Sequence, residues 1–128
     1  MKHWIATLGI ATIFGLSSAW AGTPLSQLVR SEQQLSTQIK QAYLQGKNPA
    51  SLYNKLIQVH QKIRHASVDP EISNMATFLS FCLQDLRQAL VSPRNPGNIE
   101  IVVDLDSTIQ EGAAYIRNLS RGKALAAR

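Results

Sequence analysis

Cysteine is nearly absent: Cys82 is the only one among 128 residues. An intramolecular disulfide and a Cys-x-x-Cys-His haem attachment are therefore excluded, and the fold must be held by its core. Aromatic residues make up only 6% of the chain. No glycine-rich phosphate loop occurs. Lys and Arg form no cluster of the kind that grips nucleic acid, so no nucleic-acid partner is expected. Past residue 21, no apolar run is long enough to span a bilayer.

The N-terminus supplies what the rest lacks. Met1-Lys2-His3 is a short basic start, Trp4 to Leu16 is uncharged and mainly apolar, and Ala19-Trp20-Ala21 is a small-x-small cleavage site before Gly22. This reads as a signal peptide over residues 1–21 of a periplasmic or secreted bacterial envelope protein. No Cys follows the cleavage site, so no lipid anchor and no stable membrane insertion after cleavage are expected. Removal of the leader leaves 107 residues with twelve Lys and Arg against eight Asp and Glu, a net charge of +4. That suits an acidic partner without demanding one.

Four dipeptides punctuate the remainder: Thr23-Pro24, Asn48-Pro49, Asp69-Pro70 and Asn95-Pro96. Each sets an N-capping residue before a proline, the residue suited to the first helical position because it needs no N–H. Each is followed by an apolar pattern of helical period. The expected helices run over about 24–45, 49–67, 69–91 and 96–120. Gly46 is expected to end the first, Pro93 to Gly97 to break the third from the fourth, and Gly122 to end the fourth. Residues 98–105 also alternate as a strand would, but no other segment offers that strand a partner. The expected fold is all-α, an up-down-up-down four-helix bundle after a cleaved N-terminal signal peptide. Its domain covers residues 22–122, and residues 123–128 form a flexible C-terminal tail.

Three features stand out on the helical wheels. Glu32 falls inside the apolar stripe of the first helix, either paired with Arg117 of the fourth or at a solvated helix end. Tyr53, Ile57, His60 and Arg64 make a second row beside the core stripe of the second helix, either packed against a second neighbouring helix or forming part of a partner surface. Phe78 lies at the edge of the third helix's apolar face, and Phe81 lies about opposite Ile72, so the apolar arc exceeds half the circumference. An apolar excess of this kind marks contact with another molecule. The candidate partner-binding residues are Phe78, Phe81, Tyr53, Ile57, His60 and Arg64. Cys82, on the apolar face, reads as a buried thiol, with an intermolecular disulfide as the alternative.

Two stretches carry a family resemblance. Ile101-Val102-Val103-Asp104-Leu105-Asp106-Ser107-Thr108 resembles the first motif of the haloacid dehalogenase superfamily of phosphatases, an apolar strand followed by Asp-x-Asp-x-Thr or Val. The resemblance implies Asp104 as nucleophile on a phosphate, Asp106 as general acid and base, and magnesium held by both. It covers about nine residues; the family's fold needs further parallel strands, a Lys and more acids downstream, and the 20 residues after Thr108 contain one acid and no second strand. In length and bundle plan the chain is also similar to cytochrome b562-type proteins. That family's early Met and late His ligands are missing here, so a haem would have to take His60 and Met75. His60 and His65 lie on different helical faces, and no metal is expected.

The function expected from the sequence is that of a non-enzymatic exported binding protein without a cofactor. It would be an envelope adaptor, periplasmic chaperone or immunity-type inhibitor. Its partner would be another protein, possibly acidic, or a second copy of itself. A small-ligand or haem carrier is the alternative, and a magnesium-dependent phosphatase built on the Asp-Leu-Asp-Ser-Thr stretch is a remote one.

Overall fold

A computed structural model describes residues 24–66 and 69–126. The leader over residues 1–21 and its cleavage site lie outside the described residues. The described chain forms four helices and no strand: α1 (Leu25–Leu44), α2 (Ala50–Ala66), α3 (Pro70–Val91) and α4 (Pro96–Ala126). None of them is long and apolar enough to cross a membrane. α1 packs on α2 and α4, α4 packs on α1 and α3, and α2 and α3 touch much more sparingly.

Among the described residues, Asn48, Asp69 and Asn95 each cap the helix that follows their proline. Asn48 Oδ1 accepts from the Ala50 N–H (3.0 Å), Asp69 Oδ2 from Ile72 N–H (3.1 Å) and Asn95 Oδ1 from Asn98 N–H (2.8 Å). Each side chain satisfies a donor that the first helical turn leaves without a partner. At the start of α1, Pro24 occupies the cap position and supplies no side-chain cap. At the other end of α1, Gly46 takes φ +76°. Gly46 N–H donates to Tyr43 O and Lys47 N–H to Ala42 O, the paired bonds of a Schellman ending.

Gly122 does not end α4, which continues to Ala126. Nothing packs within 4 Å of a Cβ placed at Gly122. A glycine stops a helix where the chain turns left-handed to satisfy the last carbonyls; an isolated one only weakens it, by about 1 kcal/mol relative to alanine. Residues 101–108 are helical, so the strand that the phosphatase motif requires is not formed there.

The core runs along the bundle axis. Leu28, Val29, Ile39, Leu56, Ile63, Leu79, Leu83, Leu86, Val102, Ile109 and Ile116 are each exposed by 1% or less. Each fully buried aliphatic side chain contributes about 1.5–3 kcal/mol of transfer free energy, so the apolar stripes carry most of the stability. Val103, next to the fully buried Val102, is 38% exposed. A Cβ at Gly112 would come within 2.6 Å of Leu79 Cδ2 and 3.2 Å of Met75 Sδ. The missing side chain thus lets α3 and α4 approach closely at mid-height.

Candidate functional site

Two polar networks penetrate the core. The first joins three helices. Glu32 on α1 is completely buried, and its Oε2 lies 2.6 Å from His60 Nδ1 on α2. The other ring nitrogen, Nε2, lies 3.0 Å from Ala76 O and 2.8 Å from Ser80 Oγ on α3. Glu32 is therefore neither at a solvated helix end nor paired with Arg117, whose Nη1 donates instead to Gln33 Oε1 (3.0 Å). His60 is 3% exposed and packs against the neighbouring α3, so of the two alternatives for its row the partner surface does not hold for His60. The physical reason is mutual. A buried carboxylate needs a donor and a buried imidazole needs an acceptor, and facing stripes on α1 and α2 let each answer the other.

The distances Glu32–His60–Ser80 match those of an acid–base–nucleophile relay. The proton arrangement does not. Ala76 O can only accept, so the hydrogen-bond network assigns a hydrogen to Nε2, and Nε2–H is shared between Ala76 O and Ser80 Oγ. The Ser80 hydroxyl in turn donates to Ala76 O (3.1 Å). An imidazole nitrogen that already carries hydrogen cannot take the serine proton, so this network ties α1, α2 and α3 together. With both ring nitrogens engaged inside the protein, His60 also has no free position for an iron. Met75, its supposed co-ligand, packs toward Gly112 on the α4 side of α3.

The second network lies between α1 and α4. Asp106 Oδ1 accepts from Ser36 Oγ (2.7 Å) and Gln110 Nε2 (3.1 Å), and its Oδ2 lies 3.1 Å from Lys40 Nζ. Gln110 Nε2 also donates to Gln33 O (2.8 Å), and Gln33 Nε2 donates back to Gln110 O (3.1 Å). The two aspartates of the phosphatase-like stretch are thereby separated: Asp106 is turned inward and used up, while Asp104 faces solvent. They do not converge on one point, as a shared magnesium ion would require.

The surface features lie on α3, and they divide it. On its α4 side, Phe78 (49% exposed) stands with Met75, Asn74 and Tyr115 around a shallow cavity of about 290 Å³. Phe81 projects one turn further along and is 60% exposed, consistent with an apolar arc wider than the core uses. On the α2 side, sparse packing leaves a groove of about 250 Å³ lined by Pro49, Tyr53, Arg87, Leu90 and Val91. It continues along Ile57 and Gln58. Tyr53 and Ile57 are half-buried, and Arg64 is exposed at the far end of the row. The Tyr53 hydroxyl donates to Leu83 O (2.8 Å), and burial holds it protonated above the usual tyrosine range. Reading α2 alone missed the groove, because its second wall, Arg87, Leu90 and Val91, belongs to α3.

Cys82 is buried beneath the α4 side of α3, where desolvation pushes its thiol pKa up and leaves it a poor nucleophile. Among the described residues, no group of three or more His, Cys, Asp or Glu side chains is placed to hold a metal ion. No protein-family model, no curated protein and no solved structure matches this chain.

Proposed function

We propose that this chain is an exported up-down-up-down helical bundle that acts by binding another protein, as an envelope adaptor, chaperone or immunity-type inhibitor of the periplasm or the exterior. The observation that carries the reading is the outer face of α3, where Phe78 and Phe81 stand exposed one turn apart and Phe78 shares a shallow cavity with Tyr115. Aromatic side chains of this size are costly to leave in water and are favoured anchors of protein interfaces. The up-down order is supported by register. Going along α1 from Gln33 to Tyr43, its α4 partners run back from Arg117 to Asn98. Going along α2 from Tyr53 to His60, its α3 partners run back from Leu83 to Ala76. Export is supported by the leader-like residues 1–21.

The test is affinity capture from the envelope of cells expressing the full chain, set against Phe78→Ser and Phe81→Ser. A protein recovered with the wild type and lost with both variants is the expected result. Recovery unchanged by the variants, or recovery of no protein at all, a second copy of the chain included, defeats the reading. The mass of the exported protein decides the leader separately, with an N-terminus at Gly22 expected.

A further inference from the structure

We propose that the chain associates with itself head to tail, the acid-flanked aromatic face of one copy docking into the basic α2–α3 groove of the next. This rests on the reading of Phe78 and Phe81 as a protein-binding face and names its occupant. Charge carries the argument. Residues 24–66 hold six Lys and Arg against a single acid, Glu32, which is buried. Residues 69–126 hold seven acids against five Lys and Arg. One half of the molecule is therefore strongly basic and the other weakly acidic.

The segregation coincides with the two apolar features. α2 contains no acid at all, none lines the groove, and Arg87 stands in its wall. Val91 at the groove's end is 74% exposed, the most exposed large apolar side chain of the described residues. Across α3, Glu71 lines the cavity beside Phe78 and Tyr115 and is paired with Lys123. By helical spacing Asp85 follows Phe81 by one turn, and Glu111 and Asp104 precede Tyr115 by one and three turns, all three exposed and in no ion pair among the described residues. Phe78 and Tyr115 supply the apolar body of that face.

The two surfaces lie on opposite sides of α3, so one copy cannot bring its own together. A symmetric dimer through either surface sets like charges against each other: Arg87 near its equivalent across the groove, or Asp104 and Glu111 near theirs across the aromatic face. Such juxtapositions are penalised at interfaces. Joining the groove of one copy to the face of another removes the conflict and covers both apolar patches. That contact is heterologous, and it propagates unless its rotation closes a ring.

Sedimentation of the purified protein over a wide concentration range tests this. At low salt the mean mass should rise with concentration, and high salt should return it towards the monomer. Arg87→Glu, in the groove, and Glu111→Lys, on the face, alter exposed positions and should each weaken association about tenfold or more. Circular dichroism shows whether each remains helical, and Asp104→Lys substitutes if Glu111→Lys does not. Mixing the two variants should restore association, because each keeps the surface the other has lost. A wild type that stays monomeric at low salt, or a mixture that stays monomeric, overturns the proposal. An envelope protein captured through Phe78 and Phe81 by a chain that never self-associates would leave the protein-binding reading standing and this one refuted.

Discussion

The seam between α1 and α4 and the seam between α2 and α3 are built in opposite ways. Along α1–α4, the bonds of Asp106, Gln110, Gln33, Ser36 and Lys40 overlap, so several donors and acceptors share the load. At the end of this seam, Arg94 lies over the Tyr43 ring, 5.0 Å from its centre, and donates to the last carbonyls of α1, Tyr43 O and Leu44 O. Asn98 Nδ2 reaches both Tyr43 Oη (2.7 Å) and Ala89 O (2.6 Å). The α2–α3 seam depends on two side chains, His60 and Tyr53, each reaching a backbone carbonyl of α3. A seam with overlapping bonds fixes register and closes. One with two tethers leaves a groove. The difference teaches where this bundle is rigid and where it can accept another molecule.

The comparison is most exposed at His60. His60→Leu removes the only donor to Glu32 among the described residues and leaves a fully buried carboxylate alone, a change expected to cost about 3–5 kcal/mol. Denaturant unfolding measures it. The double change Glu32→Leu with His60→Leu should recover most of the loss, because a well-packed apolar pair of similar volume replaces a desolvated one. If the single change is mild, the α2–α3 seam does not depend on this network.

Gly112→Ala comes next. Alanine favours the helix by about 1 kcal/mol, but its methyl would overlap Leu79 Cδ2, which is itself fully buried. Overpacking of this kind costs about 1–3 kcal/mol, so a net loss is expected in thermal unfolding. A gain would show that α3 can move away from α4 freely.

Asp106→Asn sharpens the contrast from the other side. It keeps an acceptor for Ser36 but loses both the charge and the acceptor facing Lys40, whose part-exposed ammonium can turn to solvent, so about 1 kcal/mol is expected to be lost. A loss as large as that of His60→Leu would erase the distinction between the seams.

The smallest effect belongs to the bond between the ends of α3 and α4. Lys123 Nζ lies 3.0 Å from Asp69 Oδ1 and 3.3 Å from Glu71 Oε1. The hydrogen bond from Lys123 is the main cause that depresses the Asp69 pKa, and the same contact with Asp69 is the main cause that raises that of Lys123. The depressed acid stabilises the fold above the ordinary aspartate value of about 3.9 and loses that contribution as pH falls through its lower folded value. The raised base contributes fully below the ordinary lysine value of about 10.4 and loses it as pH rises through its higher folded value. Lys123→Ala should therefore flatten the stability profile slightly at both extremes and change little near neutrality, because both groups are solvated and screened.

Much of this was legible in the chain. The cap residues Asn48, Asp69 and Asn95 depend only on a side chain and the backbone two or three residues ahead, a local relation that sequence preserves. The same holds for Gly46 and for the exposure of Phe81, which follows from its angle on one helix. The extension of α4 past Gly122 was not legible, because a glycine with open space around it neither requires nor forbids a stop. The fate of Glu32 was visible as a problem but not as an answer. Its solution lies 28 residues away on another helix, and Arg117 offered a charge of the correct sign at a plausible height.

By itself, the sequence determined that residues 24–66 and 69–126 are helical, how many helices they form, where most of them begin and which stripes face inward. Caps, prolines and apolar period act within a few residues, so they need no knowledge of what packs where. Only the tertiary structure decided which polar side chains meet: Glu32 with His60, Ser36 and Lys40 with Asp106, Arg94 with the end of α1. It also decided that α2 and α3 stand apart while α1 and α4 interlock. Those outcomes depend on the rotation and height of each helix against its neighbours, set by the joint fit of all four apolar stripes.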